Sequence, residues 1–340
     1  MARKRVTMQD IAAACGLSRN TVSKIFNSRG AVPESTRKMV LQKAQELGYN
    51  QIIADEPEEN TAKNIALLTQ HKLLSHNFGA FFITSFTDQI SRAGYTLKMY
   101  EISPGEIRAK SLPPHFALDD TYGILGIELF DRDYVEMICS LGKPTVFVDG
   151  YAHINEAVKN CDFISMENTA SVFALVDRLI SAGARSVGFV GDIEHCNSFY
   201  ERWIGCRVAL GRAGIIIDRA QCILDPDGEC YGDVEWLEGR LSAMDKMPDA
   251  FVCANDYLAI HLMAALKKLG CQVPQEKMVT GFDGSMESAM VEPALTTAQI
   301  PSTDIGRLAA DTLSARIVSP GRPYTTVYVR CSPIFRQSTR

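Results

Sequence analysis

Residues 6–27 read VTMQDIAAACGLSRNTVSKIFN, and the spacing of apolar and polar positions in this stretch decides how the N-terminal part of the chain folds. Thr7 followed three residues later by Asp10 has the form of a capping box, which satisfies backbone N–H groups that open a helix. Met8, Ile11, Ala12 and Cys15 then recur at helical spacing, so a first helix is expected from Met8 to Cys15. Gly16 supplies the freedom for a tight turn, and Ser18 is a good N-cap for a second helix that turns Val22, Ile25 and Phe26 inward. Arg19, Asn20, Ser23 and Lys24 are left outside. A third helix starts near Pro33, buries Val40, Ala44 and Leu47 along one stripe, and stops at Gly48. Three short helices around one small core follow.

Two helices joined through a glycine-containing turn, the second presenting polar and basic residues from its N-terminal half, form a helix-turn-helix pattern. Arg19, Asn20 and Lys24 share a face from which they reach base edges, where Asn suits adenine and Arg or Lys suits guanine. Thr7, Ser18, Thr21, Ser23 and Asn27 are short donors suited to phosphate oxygens. A three-helix interaction module with a solvated polar face fits the same pattern, and spacing alone leaves both open.

The charge distribution bears on that choice. The first fifty residues hold nine cationic side chains against three carboxylates, a net of +6, so the rest of the chain carries −11 of the overall −5. A basic head on an acidic body is what nucleic-acid binding by one end would produce, since phosphate contacts dominate affinity, and a solvated basic surface would produce it as well, so charge alone leaves both open.

The opening stretch, with VPESTRKMVLQKAQELGYN at residues 32–50, closely resembles the head of the lactose-repressor (LacI/GalR) family. That resemblance implies a homodimer on a near-palindromic operator of double-stranded DNA, with base-reading positions falling on Arg19, Asn20 and Lys24. The family commonly has arginine at the last of these. Lysine lacks the bidentate fork for guanine, so a different or looser operator preference is implied there. After the head, the family usually continues into a short hinge helix whose leucine wedges the minor groove. Here residues 50–60 read NQIIADEPEEN, with Glu58 near the leucine position, four carboxylates and Pro57. Those carboxylates repel phosphate and the proline interrupts a helix, so a flexible acidic linker is the reading. The expected organisation is a head at 1–50, a linker at 51–62 and an effector-binding and dimerisation domain at 63–340.

In the larger region, apolar runs rich in β-branched residues alternate with helical stretches: NIALLT, YTLKMYEI, GILGIEL, PTVFVDG, FISMEN, SVGFVGD, AFVCAND and KMVTGFDG. Helices are expected at 169–182, 202–213 and 257–269. This is the signature of parallel sheets covered by helices, and so many strands favour two doubly wound α/β subdomains facing a cleft. Ligands in such folds bind outside the carboxyl ends of strands, where the sequence offers Asp149, Arg202, Asn255, Asp256, Asp283 and Gln299. Taken singly, an Asp or Asn there is more often a helix cap.

The resemblance extends through this region to repressor effector domains and to periplasmic sugar-binding proteins of type I architecture. It implies that Asp149, Arg202, Asn255, Asp256 and Gln299 line an effector pocket, that His76, Asn77 and Phe78 fall on another pocket segment, and that Tyr231 contributes an aromatic face. Planar arginine, carboxylates and an aromatic ring suit a sugar or nucleoside. Gly79 and Gly150 depart from a common Phe and Arg, so the usual ligand does not carry over.

Two other functions compete. A nucleotide- or sugar-dependent enzyme with an accessory helical head would need motifs that are missing: no G-x-G-x-x-G at the first turn, no phosphate-binding loop and no G-x-S-x-G elbow. No catalytic residue is singled out, and the six histidines show no metal spacing. No cofactor or metal is implied. A solute-binding module is disfavoured by the basic head. The ten cysteines form no C-x-x-C pair, no apolar leader opens the chain, and no run approaches about 18 apolar residues. The expectation is a cytoplasmic, nucleoid-associated protein with reduced thiols and no membrane contact.

Overall fold

The computed structural model describes residues 6–26, 32–47, 63–70, 77–153, 160–227 and 229–340. Two compact units are present, Met1–Ala62 and Lys63–Arg340. Asn27, His76 and the linker at 51–62 lie outside the described residues.

In the first unit, helix α1 spans Met8–Cys15, α2 Arg19–Phe26 and α3 Glu34–Glu46. The capping box forms: the Thr7 N–H donates to Asp10 Oδ2 at 2.8 Å. Gly16 ends α1 in the left-handed region at φ 66°, where a side chain would be strained. Ile11, Ala12, Val22, Ile25, Val40 and Ala44 make the core, with Phe26 at its margin. Leu47, expected on the buried stripe, is instead 40% exposed. The three-helix core ends three residues earlier, at Ala44.

The second unit opens with β1 (Lys63–Thr69), α4 (Asn77–Arg92), β2 (Tyr95–Glu101), α5 (Pro104–Ala109), β3 (Thr121–Ile127), α6 (Arg132–Ser140), β4 (Thr145–Val148) and β5 (Asp162–Met166). Next come α7 (Thr169–Ser181), β6 (Val187–Val190), α8 (Asn197–Arg212), α9 (Val234–Ser242), β7 (Ala250–Cys253), α10 (Asp256–Lys268) and β8 (Met278–Thr280). The chain closes with α11 (Met286–Met290), β9 (Thr297–Gln299), α12 (Ser302–Val318), β10 (Thr326–Val329) and β11 (Ser332–Ile334).

One parallel sheet has the order β10-β5-β4-β3-β1-β2 and a second β6-β7-β8. Parallel bridges Thr280↔Thr296 and Asp283↔Gln299 bring β9 beside β8, and β11 pairs antiparallel with β9. β1 is buried at every position after Lys63, because helices cover both faces, whereas edge strand β2 is mostly exposed or half-exposed. The chain passes between the two halves after β5, after β9 and again between β10 and β11. β10 and β11 were not foreseen. Strands of three or four residues with partly exposed side chains carry too little periodic signal.

Two contacts anchor the first half. Helix α4 lies so close to α12 that a Cβ at Gly306 would collide with Ser85 Oγ and the Phe82 carbonyl. Arg316, 2% exposed on α12, meets Asp162 of β5 through Nε–Oδ2 at 2.9 Å and Nη2–Oδ1 at 3.0 Å. Its remaining donors go to the carbonyls of Pro320, Arg322 and Pro323, and Thr325 donates its N–H to Asp162 Oδ1 at 2.8 Å. This network fixes the entry to β10. Six of the ten cysteines are buried, as small apolar side chains are. Among the described residues, no helix is long and apolar enough to cross a membrane.

Candidate functional site

Helix α2 is built from its N-cap outward. Ser18 Oγ accepts from the Thr21 N–H at 3.1 Å and lies 2.9 Å from Thr21 Oγ1, so both hydroxyls serve the helix start. Thr7 is likewise engaged with Asp10, its Oγ1 donating to Oδ2 at 2.7 Å. Val22 and Ile25 are 0% and 4% exposed, while Arg19, Asn20 and Lys24 are exposed on the same short helix and Ser23 is half-buried. The helix therefore holds one face in the core and turns a cationic, amide-bearing face outward.

The second unit gathers acids at strand ends around one arginine. Asp149 follows β4, Asp283 follows β8, and Glu128, which the sequence reading missed, follows β3. All three have positive φ, at 60°, 121° and 54°. Such backbone is costly for non-glycine residues and is characteristic of functional sites. Asp149 Oδ1 accepts from the N–H groups of Gly150 at 2.8 Å and Ser198 at 3.2 Å. Arg202 approaches Asp283, Nη1–Oδ1 at 3.6 Å, and lies 3.7 Å from the centroid of the Phe282 ring.

Arg202, expected after a strand at the start of a helix over 202–213, lies within α8, which begins five residues earlier at Asn197. Its side chain is 3% exposed; Nε donates to Asn168 Oδ1 at 2.9 Å and Nη1 to the Ala254 carbonyl at 2.6 Å. Asn168 also donates to Glu201 Oε2 at 2.8 Å, and Glu201 Oε1 accepts from the Tyr328 hydroxyl at 2.8 Å. The guanidinium is thus tied to β10. Neither Asn168 nor Glu201 was anticipated, because their partners are distant in sequence.

The other candidates divide. Asp256 is 1% exposed, and both oxygens are taken, by Thr297 Oγ1 at 2.5 Å and the Ser285 N–H at 2.7 Å. Asn255 caps α10 by accepting from the Leu258 N–H at 2.9 Å. Gln299 Nε2 donates to the Ile300 carbonyl at 3.2 Å beside Asp283. Tyr231 is not brought to this group: it is 2% exposed, and its hydroxyl donates to the Asp225 carbonyl at 2.8 Å. Phe78 packs on Phe82 with ring centroids 5.9 Å apart, near the start of α4 at Asn77. A separate hollow of about 550 Å³, lined by Arg132, Tyr151, Ala152, His153 and Glu194, contains none of the predicted residues.

Electrostatics at the acids follow from burial. Glu128 is pushed up to about 7, first by burial and then by Asp149, with His195 opposing. Asp149 is raised by burial against the hydrogen bonds it accepts, and Asp256 by burial against Thr297 and Ser285. Asp283 is raised by burial and by Asp256, Glu128 and Asp149, with Arg202 pulling the other way. Among the described residues, no group of three His, Cys, Asp or Glu is placed to hold a metal ion.

With this geometry in hand, residues 7–51 match the family model for bacterial regulatory proteins of the lacI family, and residues 176–339 match a periplasmic binding protein-like domain. The chain belongs to the LacI family. The HTH-type transcriptional regulator GalR of Lacticaseibacillus casei is 25% identical over 98% of this chain and 99% of its own length. Among solved structures, a complex of the transcriptional regulator CelR with cellobiose superimposes with TM-score 0.72 at 23% identity, covering 98% of this chain and all of that one. The lac repressor dimer bound to operator and the anti-inducer ONPF gives 0.69 at 21% identity, covering 99% of each. This LacI-family member is a transcriptional regulator, as its curated relatives are, and not an enzyme. Its fold is the helical head with an α/β domain that the family shares.

Proposed function

We propose that this regulator acts in the cytoplasm as a homodimer on a near-palindromic operator, most simply as a repressor, and that a small sugar- or nucleoside-like effector in the cleft controls it. The observation that carries the DNA reading is the outward face of α2, where Arg19, Asn20 and Lys24 stand exposed above a buried Val22 and Ile25. Two such helices in a dimer read half-sites one helical turn apart. Asn20 selects adenine through a bidentate contact, and Arg19 and Lys24 select guanine. Thr7, Ser18, Thr21, Ser23 and Asn27 set the head on the phosphates.

For the effector, the reading rests on Asp149 and Asp283 at strand ends of the two sheets, both acted on by Arg202 of α8, with Gln299 beside Asp283. Cellobiose in the CelR complex supports a carbohydrate. Asp256 and Asn255 support the site by holding backbone, and Arg202 is held by Asn168 rather than left mobile. Effector binding then alters how the halves close, and the three chain passages carry that change.

The test is an anisotropy titration of the full chain against duplexes selected from genomic fragments. Lys24→Ala is expected to weaken binding of the selected duplex about 10- to 100-fold while leaving the thermal transition in place. Unchanged binding by an Arg19→Ala, Asn20→Ala, Lys24→Ala triple variant would refute the reading.

A further inference from the structure

Two thiols in the first half of the effector domain take no part in the reading above. Cys139 lies in the last turn of α6, and Cys161 is the residue before β5, 22 positions further along the chain. Both are buried, at 8% and 4% exposure, and Cys139 Sγ donates to Cys161 Sγ at 3.3 Å. That separation is only about 1.3 Å longer than an S–S bond. The Cys161 thiol is pushed up by its hydrogen bond with Cys139, then by burial and by Asp162, so attack on an oxidant falls to Cys139, the more exposed of the two. Both cysteines share an apolar cluster with Tyr151, which also lines the hollow of about 550 Å³. Solvent therefore reaches the edge of the cluster, and a small uncharged oxidant enters apolar packing at far lower cost than an ion.

The chain between the two cysteines carries β4 and the strand end that meets α8. There Asp149 Oδ1 accepts from the Ser198 N–H at 3.2 Å, and the Gly150 carbonyl accepts from the Asn197 N–H at 2.8 Å. Cys161 is followed by Asp162, which holds Arg316 and Thr325. A covalent tie would close this stretch into a loop and remove conformational freedom from its opened states.

We propose that Cys139 and Cys161 form a redox switch, closed to a disulfide by hydrogen peroxide, that stiffens β4 and the start of β5. Cys139, as the thiolate, attacks one peroxide oxygen; the O–O bond breaks, a sulfenic acid forms, and the departing hydroxide takes up the thiol proton as water. The Cys161 sulfur then attacks the sulfenic sulfur. The S–S bond forms, the S–O bond breaks, and the hydroxyl leaves with the Cys161 proton as a second water. Two electrons pass from the sulfur pair to the peroxide, and a cellular dithiol reverses the step. A reversible disulfide of this kind is the form that sensing takes in a reducing compartment.

The test treats the reduced full chain with hydrogen peroxide and maps its peptides without reductant. The expected product has lost two hydrogens, links 139 to 161, melts about 5 °C higher and returns to the parent on adding dithiothreitol. Hydrogen exchange should slow at 145–150 and 162–166. Cys139→Ala and Cys161→Ala should each show neither the link nor the peroxide-induced shift, and two variants guard against one that fails to fold. Oxygen addition to either thiol without a link, or no link at peroxide levels that oxidise the exposed Cys230, overturns the dithiol assignment. A 139–161 link that leaves melting and exchange unchanged overturns the switch.

Discussion

Replacing Glu128 by glutamine should make the effector domain more stable at high pH and change little at low pH. The carboxyl titrates near 7 in the folded protein against an ordinary value of 4.5, raised by burial and by Asp149, with Asp283 facing it and His195 opposing. Because the folded state holds this proton more tightly than the unfolded chain, stability is full below the ordinary value. It is lost as pH rises from about 4.5 to about 7, and flat beyond. A shift of roughly two and a half pH units corresponds to a loss on the order of 3 kcal/mol, reduced to the extent that water reaches the group. Glutamine copies the protonated form at every pH. The variant should therefore match the parent at pH 5 and exceed it by roughly 2–3 kcal/mol at pH 8, or about 5 °C in melting temperature for a domain of this size. Urea or thermal melts of both proteins at the two pH values measure this directly. Some slope will remain in the variant, since Asp149 and Asp283 are raised as well. A variant as unstable as the parent at pH 8, or less stable there, would refute the view that Glu128 sits unpaired among acids.

Packing and ion-pair arguments give two further outcomes. Gly306→Ala places a methyl against Ser85 Oγ and the Phe82 carbonyl, and should cost about 1–3 kcal/mol in chemical denaturation; a neutral result would mean that α4 and α12 separate freely. Asp162→Ala leaves the buried Arg316 guanidinium without its carboxylate and should cost about 3–5 kcal/mol, with Thr325 and the entry to β10 loosened in hydrogen exchange. Unaltered exchange at 325–329 would show that the network does not hold β10.

Local chemistry made the head legible. A capping box, a glycine turn and a serine N-cap act within a few residues, so α1 and α2 appear at the expected positions. The apolar runs marked β1 and β3 to β8 because a strand covered on both faces must be apolar throughout; the exposed edge strand β2 was marked as well. Leu47 was misread because the extent of a core is not written in one helix.

The cleft was only half legible. Asp149 and Asp283 announce themselves by following apolar strands, and Glu128 carries the same signal at the end of β3 in GILGIE, where asking the question of every strand end would have found it. Spacing does not reveal which polar groups are already spent. Asp256 and Tyr231 have the right chemistry for a ligand, yet Thr297, Ser285 and the Asp225 carbonyl reach them first.

By itself, then, the sequence determined the family, the helical head with its outward Arg19, Asn20 and Lys24, and the alternation of strands and helices, because capping and hydrophobic periodicity are short-range. Only the tertiary structure decided that Arg202 is held by Asn168, Ala254 and Asp283, that Glu128 has no hydrogen-bond partner among the described residues, and that β10 and β11 complete the two sheets. Those are contacts between residues tens to hundreds of positions apart, and their energies exist only once the chain has folded.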